Sequence, residues 1–138
     1  MLDFTHEETI DAPPEVVFDL IANLPAYAEW NPFITADSGV SALHEVVKGK
    51  SFLGPFTVSY RHKIYELTPA KSLCWRDFGL VALIACGDRS RFVEPRAGKT
   101  HYRCHLKVTG PLSIVAQLLF GKYLKRGIIA ECQAMKKL

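Results

Sequence analysis

No stretch of this 138-residue chain is long and apolar enough to cross a bilayer. The longest nearly unbroken apolar runs, Ile114 to Phe120 and Leu80 to Cys86, fall far short of the ~20 residues a spanning helix needs. The first eight residues, Met1 to Glu8, are acidic and contain no apolar signal region. There is no CxxC motif. Cys74, Cys86, Cys104 and Cys132 are well separated, so free thiols in a reducing cytoplasm are expected. There is also no dense basic run. A formal net charge of +3, scattered along the chain, is too small for a nucleic-acid footprint, and no nucleic-acid partner is expected. GxSxG is absent, and Lys48-Gly49-Lys50 is too short for a phosphate loop, so neither a serine hydrolase elbow nor a nucleotide cradle is present. With no repeat, linker or low-complexity segment, residues 1–138 read as one domain without a cofactor.

What is present is apolar: hydrophobic residues make up 49% of the chain, enough for a real core. The most informative stretch is the last, Pro111 to Leu138. A glycine and a proline open it, and about 27 residues of good helix formers follow without another proline. Leu112, Val115, Ala116, Leu119 and Tyr123 share one helical face; Leu124, Ile128, Cys132 and Met135 share a second, rotated by roughly 140°. Gly121 and Gly127 lie near the changeover, so one long helix bent or broken between them is expected. Such a helix needs a broad surface beneath it.

The preceding residues supply that surface. Phe4 to Ile10 reads as a strand. Ala12-Pro13-Pro14-Glu15 then starts a helix whose apolar face is Val16, Val17, Leu20 and Ile21, with Phe18 beside it. Leu24-Pro25 breaks it. Ala26 to Trp30 makes one or two further helical turns, and Asn31-Pro32 stops them. From Phe33 to Thr109 the period becomes two. Ile34 to Leu43 is a weak strand, Lys48-Gly49-Lys50 a turn, and Ser51 to Leu53 a short strand ended by Gly54-Pro55. Phe56, Val58, Tyr60, His62 and Ile64 alternate with polar neighbours, as in a half-buried strand. Ser72 to Phe78 follows, with Leu73, Trp75 and Asp77 on one side, then a long strand from Leu80 to Glu94, bent near Gly87. Past the Pro95-Arg96-Ala97-Gly98 turn, Tyr102, Cys104, Leu106 and Val108 alternate with His101, Arg103, His105 and Lys107.

One strand, two short helices, about six strands and a long helix make an α+β domain, with helices segregated to one side of an antiparallel sheet of about seven strands. Particular motifs in this order resemble a known family. They are Ile10-Asp11-Ala12-Pro13-Pro14-Glu15-Val16-Val17-Phe18, Tyr27-Ala28-Glu29-Trp30-Asn31-Pro32-Phe33, Phe92-Val93-Glu94-Pro95 with Gly98-Lys99-Thr100, Val108-Thr109-Gly110-Pro111-Leu112, and Glu131 to Leu138. Together they resemble the START/Bet v 1-like (SRPBCC) superfamily, and within it the bacterial polyketide cyclase/dehydrase-like proteins of helix-grip fold. The resemblance covers nearly the whole chain, and its motifs are mostly capping, turn and core residues. It implies a deep apolar cavity between sheet and C-terminal helix, and a lipid-, quinone- or polyketide-like ligand. The glycine-rich loop of the plant allergen branch is absent.

Chemistry is sparse. On a strand, His101 and His105 stand about 13 Å apart and cannot share a metal ion, so they read as surface histidines. His62 and Tyr60 share an apolar strand face, which makes them either core residues or polar groups facing a ligand. Asp77 and Arg91 are in phase with inward residues, although Phe92 could equally be the inward one. The aromatics Trp30, Phe33, Trp75, Tyr102 and Tyr123 either line a cavity or simply pack. Together with Val58, Cys104 and Leu119 they complete the candidate ligand contacts. Three functions follow: a binder of a hydrophobic small molecule, a polyketide cyclase or dehydratase using His62 with Tyr60 or Tyr102, or a domain whose own side chains fill the cavity.

Overall fold

The computed structural model describes residues 2–137, apart from the side chain of Val81. Leu138, the expected last residue of the terminal helix, lies outside the described residues. Strand β1 (Leu2–Ile10) leads into α1 (Pro14–Ala22), a 3-10 turn (Leu24–Ala26) and α2 (Tyr27–Trp30). Six strands follow: β2 (Ile34–Ser38), β3 (Val46–Leu53), β4 (Phe56–Thr68), β5 (Ser72–Asp77), β6 (Cys86–Arg96) and β7 (Lys99–Thr109). The chain ends in α3 (Ser113–Lys136). All seven strands form one antiparallel sheet in the order β1-β7-β6-β5-β4-β3-β2, so the first strand closes one edge by pairing with the last. This is the helix-grip arrangement, with α3 lying across β1, β7 and β3.

Short turns make the antiparallel order possible. Between β6 and β7, Ala97 and Gly98 both have positive φ, 52° and 80°, the geometry of a two-residue turn that matches the twist of its strands. Inward residues then fall into register across the sheet: Trp75 opposite Arg89, Arg89 opposite Leu106, and Arg91 opposite Cys104.

Several local expectations are corrected. Lys48-Gly49-Lys50 is no turn but the middle of β3. A Cβ on Gly49 would sit 1.9 Å from the Thr35 carbonyl oxygen and 2.6 Å from the Tyr60 hydroxyl, so this glycine serves close approach between strands. Residues 80–94 do not form one strand. Gly79, at φ 109°, turns the chain into a 3-10 segment at Leu80–Leu83, and β6 begins only at Cys86. The strand expected from Ile34 to Leu43 stops at Ser38, after a register shift against β3 and before Gly39 at φ 105°. In α1, Val17, Phe18 and Ile21 are buried, but Val16 is exposed.

Helix α3 is neither broken nor interrupted from Ser113 to Lys136. Its glycines have other roles. A Cβ on Gly127 would meet the Phe33 ring at 2.2–2.8 Å, so the missing side chain is where that ring lies against the helix. The second face packs as expected, with Ile128, Cys132 and Met135 buried. The first does not: Leu112, Val115 and Leu119 are exposed, and Ala116 and Tyr123 only half-buried. The short-helix pair is anchored by Tyr27, which is fully buried and donates its hydroxyl to the Ile21 carbonyl, while Trp30 is half-buried against it, edge to face at 5.4 Å.

The two helical glycines should respond with opposite signs. Alanine in a helix interior normally gains up to ~1 kcal/mol over glycine. Gly121→Ala, whose new methyl meets only Gln117 Cγ at 3.5 Å, should be neutral or stabilising. Gly127→Ala must displace Phe33 and should cost about 1–3 kcal/mol. Denaturant melts of the two variants check this; equal shifts would refute the seating of Phe33.

Candidate functional site

Between the concave face of the sheet and α3 lies a cavity of about 800 Å³. Alternation on β4 turns Val58, Tyr60 and His62 onto its wall, and β5 adds Asp77. Arg89 comes from β6, Leu106 and Val108 from β7, Phe33 from the loop before β2, and Ala116 and Leu124 from α3. The wall is mainly apolar, with a few polar groups converging on it, and the exposed Asp37, Lys48 and Arg61 also border it.

Of the candidate contacts, Phe33, Val58, Tyr60 and His62 reach this wall. The other six do not. Trp75, Tyr102 and Cys104 are fully buried behind it, β7 running under α3 and β5 packing against α1. Trp30 packs at the short helices. Tyr123 covers the β3–β4 turn, against Gly54 and Phe56. Leu119 is 58% exposed.

His62 is the most developed polar group. Its Nε2 lies 2.8 Å from Asp77 Oδ1, and Asp77 Oδ2 accepts the Gly87 backbone N–H at 2.8 Å. A carboxylate only accepts, so Nε2 carries the proton and Nδ1 presents its lone pair. That Nδ1 is buried without a partner. Burial holds the His62 pKa below its ordinary value, outweighing the Asp77 hydrogen bond, and Arg89 and Arg91 push the same way. The ring is therefore neutral at pH 7. Its ring packs on Tyr60, at 4.3 Å, and on Trp75, at 5.4 Å, and those two rings also meet each other at 6.4 Å. Tyr60 is no proton partner: its hydroxyl donates to the Thr35 carbonyl at 2.5 Å, and burial pushes the phenol up. Tyr102 is likewise pushed up by burial and has an unpartnered hydroxyl. The partner the structure gives His62 is Asp77.

Behind the wall sits a charged cluster that sequence reasoning missed. Glu131 of α3 accepts from Arg89 Nη2 at 2.7 Å and Arg91 Nη2 at 3.4 Å on one oxygen, and from Asn31 Nδ2 at 3.0 Å on the other. Asn31 Oδ1 in turn accepts the backbone N–H groups of Phe33 and Ile34. Burial alone would raise the Glu131 pKa, but the two guanidiniums and the Asn31 bond hold it below the ordinary carboxylate value. A sequence signal was available: Glu131 is in helical phase with Ile128, Cys132 and Met135, a carboxylate on the core stripe. Arg91 faces inward and Phe92 outward, which settles the phase of β6. His101 and His105 lie on the outer face against Glu7 and Asp3, and no cluster of metal-ligating side chains occurs among the described residues.

A family model described as polyketide cyclase/dehydrase and lipid transport matches residues 1–138. The chain belongs to this family. Among solved structures, this family member is similar to the Zhui aromatase/cyclase from Streptomyces sp. R1128, with TM-score 0.79 at 14% identity, covering 99% of this chain and 92% of that one. It is similar to Ara h 8.0201, with TM-score 0.70, 15% identity and coverage of 99% and 95%. It also matches the di-domain aromatase/cyclase BexL, with TM-score 0.75 at 16% identity, covering 99% of this chain but 49% of that one. At such identities the likeness is one of fold. Among curated proteins no sequence is significantly similar. No helix among the described residues is long and apolar enough to cross a membrane.

Two outcomes follow from the buried groups. Glu131→Gln leaves two guanidiniums buried without a carboxylate and should cost about 3–5 kcal/mol in a denaturant melt; a loss below 1 kcal/mol would show the cluster to be hydrated. His62 holds a proton less tightly in the folded chain than its ordinary value of 6.5. The unfolded chain therefore takes up a proton first as pH falls through that value, and stability drops on the acid side. His62→Leu should flatten that drop between pH 7 and 5. An unchanged profile would contradict a neutral buried ring.

Proposed function

We propose that the protein binds a hydrophobic small molecule, lipid-, quinone- or polyketide-like, in the cavity between sheet and C-terminal helix. The cavity itself carries the reading: about 800 Å³ of mostly apolar wall is the size and character of sites that enclose small organic ligands. Apolar burial at roughly 25 cal/mol per Å² supplies affinity, and the few polar wall groups supply orientation. Family membership supports the same reading. A domain filled by its own side chains has no such volume.

A second reading, a cyclase- or dehydratase-type enzyme, is favoured by one observation. A neutral His62, oriented through Nε2 by Asp77 and with its buried Nδ1 left unpartnered, is the pairing of a base with an orienting carboxylate that general-base catalysis uses. In this reading Asp77 replaces the tyrosine expected as the partner of His62. Nδ1 would take a proton from a carbon activated by a neighbouring carbonyl, and return it to a leaving hydroxyl.

Native mass spectrometry of gently purified protein tests the binding reading; a co-purified lipophile of defined mass is the expected result. His62→Leu keeps the wall packed and separates the readings. Binding alone predicts weaker uptake of polar-headed ligands with the fold intact. Catalysis predicts uptake retained and turnover of a poly-β-ketone substrate lost. Protein that takes up no lipophile in either form would refute both.

A further inference from the structure

The cavity reading leaves the chemistry of the ligand's polar end open, and the charges behind the wall speak to it. Arg89 and Arg91 share the inward face of β6, since side chains two apart on a strand point the same way. Both guanidiniums are permanently charged, and both lean on the one carboxylate of Glu131. Two positive charges against one negative leave an excess of one. Arg91 and Glu131 are 0% exposed and Arg89 is 5% exposed, so water does little to screen it. An unbalanced charge in such a place is costly.

The hydrogen-bond inventory points the same way. Arg89 Nε, Arg91 Nε, Arg91 Nη1, Trp75 Nε1 and the Tyr102 hydroxyl are buried without a partner. All five are able to donate, and what they lack is an acceptor. They form one neighbourhood: the Arg91 guanidinium lies 4.4 Å from the centre of the Trp75 ring, Trp75 is opposite Arg89 in the sheet, and Arg91 is opposite Cys104, two residues from Tyr102. Arg89 carries this positive, donor-rich region onto the cavity wall, beside Phe33, whose ring centre is 5.3 Å from the guanidinium. The wall's two carboxylates are Asp77, already engaged by His62 and the Gly87 N–H, and the exposed Asp37, which accepts from the Thr35 hydroxyl.

We propose that Arg89 forms an anion subsite on the cavity wall, backed by Arg91, so that the ligand is a hydrophobic acid whose carboxylate supplies the missing negative charge. The proposal rests on the binding reading above and narrows it: neutral hydrocarbons and alcohols fit the apolar wall but leave the guanidinium unanswered. The carboxylate pairs with Arg89 while Glu131 stays in place, and the cluster becomes neutral.

The test uses the whole chain at pH 8, with N-phenyl-1-naphthylamine as a neutral fluorescent probe of the cavity. Decanoate and decan-1-ol, which share a chain length, compete for it. Decanoate should displace the probe at about tenfold lower concentration than decan-1-ol, although the alcohol is the more hydrophobic. Arg89→Gln should abolish this preference, read as the acid-to-alcohol ratio at whatever affinity the variant keeps for the probe. Arg89→Lys, which keeps the charge, should retain most of it. Equal displacement by acid and alcohol, with the probe bound normally, overturns the anion subsite and leaves the cavity reading standing. A decanoate preference undiminished in Arg89→Gln also overturns it, because the anion then binds elsewhere on the wall. A probe that does not bind the parent protein refutes the cavity reading and this proposal together. If Arg89→Gln does not fold, the acid-to-alcohol ratio in the parent and in Arg89→Lys decides.

Discussion

Glu131 ties the molecule together. Through one oxygen it holds two arginines of the sheet, and through the other the asparagine that organises the turn between the short helices and β2. Three separate layers thus meet at one buried carboxylate. Apolar packing alone would let α3 slide along a curved sheet, because hydrophobic contact has no direction. Charge-assisted hydrogen bonds have direction, and they fix which turn of the helix faces which strand. The C-terminal half of α3 is pinned in this way, and Ile128, Cys132 and Met135 fill in around the pin.

The cavity follows from that asymmetry. Where α3 is tied down, the sheet beneath is filled by Trp75, Tyr102 and Cys104, all fully buried. Towards its N-terminus the helix contributes only Ala116 and Leu124 to the wall, and the space between it and β4 stays open. The polar residues stand at the boundary. Tyr60, His62 and Trp75 form one aromatic cluster, with Arg91 on the Trp75 ring, at the border between the open and the closed part of the concave face. His62 is kept neutral and Arg89 charged in neighbouring positions, which gives the wall an acceptor and a cation without a second buried carboxylate between them.

Architecture was legible because it depends on periodicity. Alternation in Phe56 to Ile64 and in Tyr102 to Val108, a proline-free helical C-terminus and short turns are local properties, and they were enough for an α+β domain of one antiparallel sheet and a long helix, while the helix-grip fold was implied by the family resemblance. Glycine misled wherever its reason was remote. Gly49 looked like a turn residue and is a point of close contact with Thr35 and Tyr60; Gly127 looked like a place for the helix to bend or break, and the helix runs through it unbroken with Phe33 seated there. In both cases the atoms that forbid a side chain belong to another element. The site was half legible for the same reason. The inward direction of Val58, Tyr60 and His62 follows from strand phase, whereas the pairing of His62 with Asp77 depends on the β4–β5 register, which places those two residues opposite each other.

The sequence by itself determined the order of most elements, the inward face of most strands and the lack of an apolar run long enough for a spanning helix, because each depends on residues close together in the chain. Only the tertiary structure decided which apolar face of α3 is covered, which aromatics are wall and which are core, and where the charge excess lies. Asn31 and Glu131 are 100 residues apart and Arg89 and Glu131 are 42 apart. No local pattern encodes such a meeting, since it exists only once the sheet has curved and the helix has been laid across it.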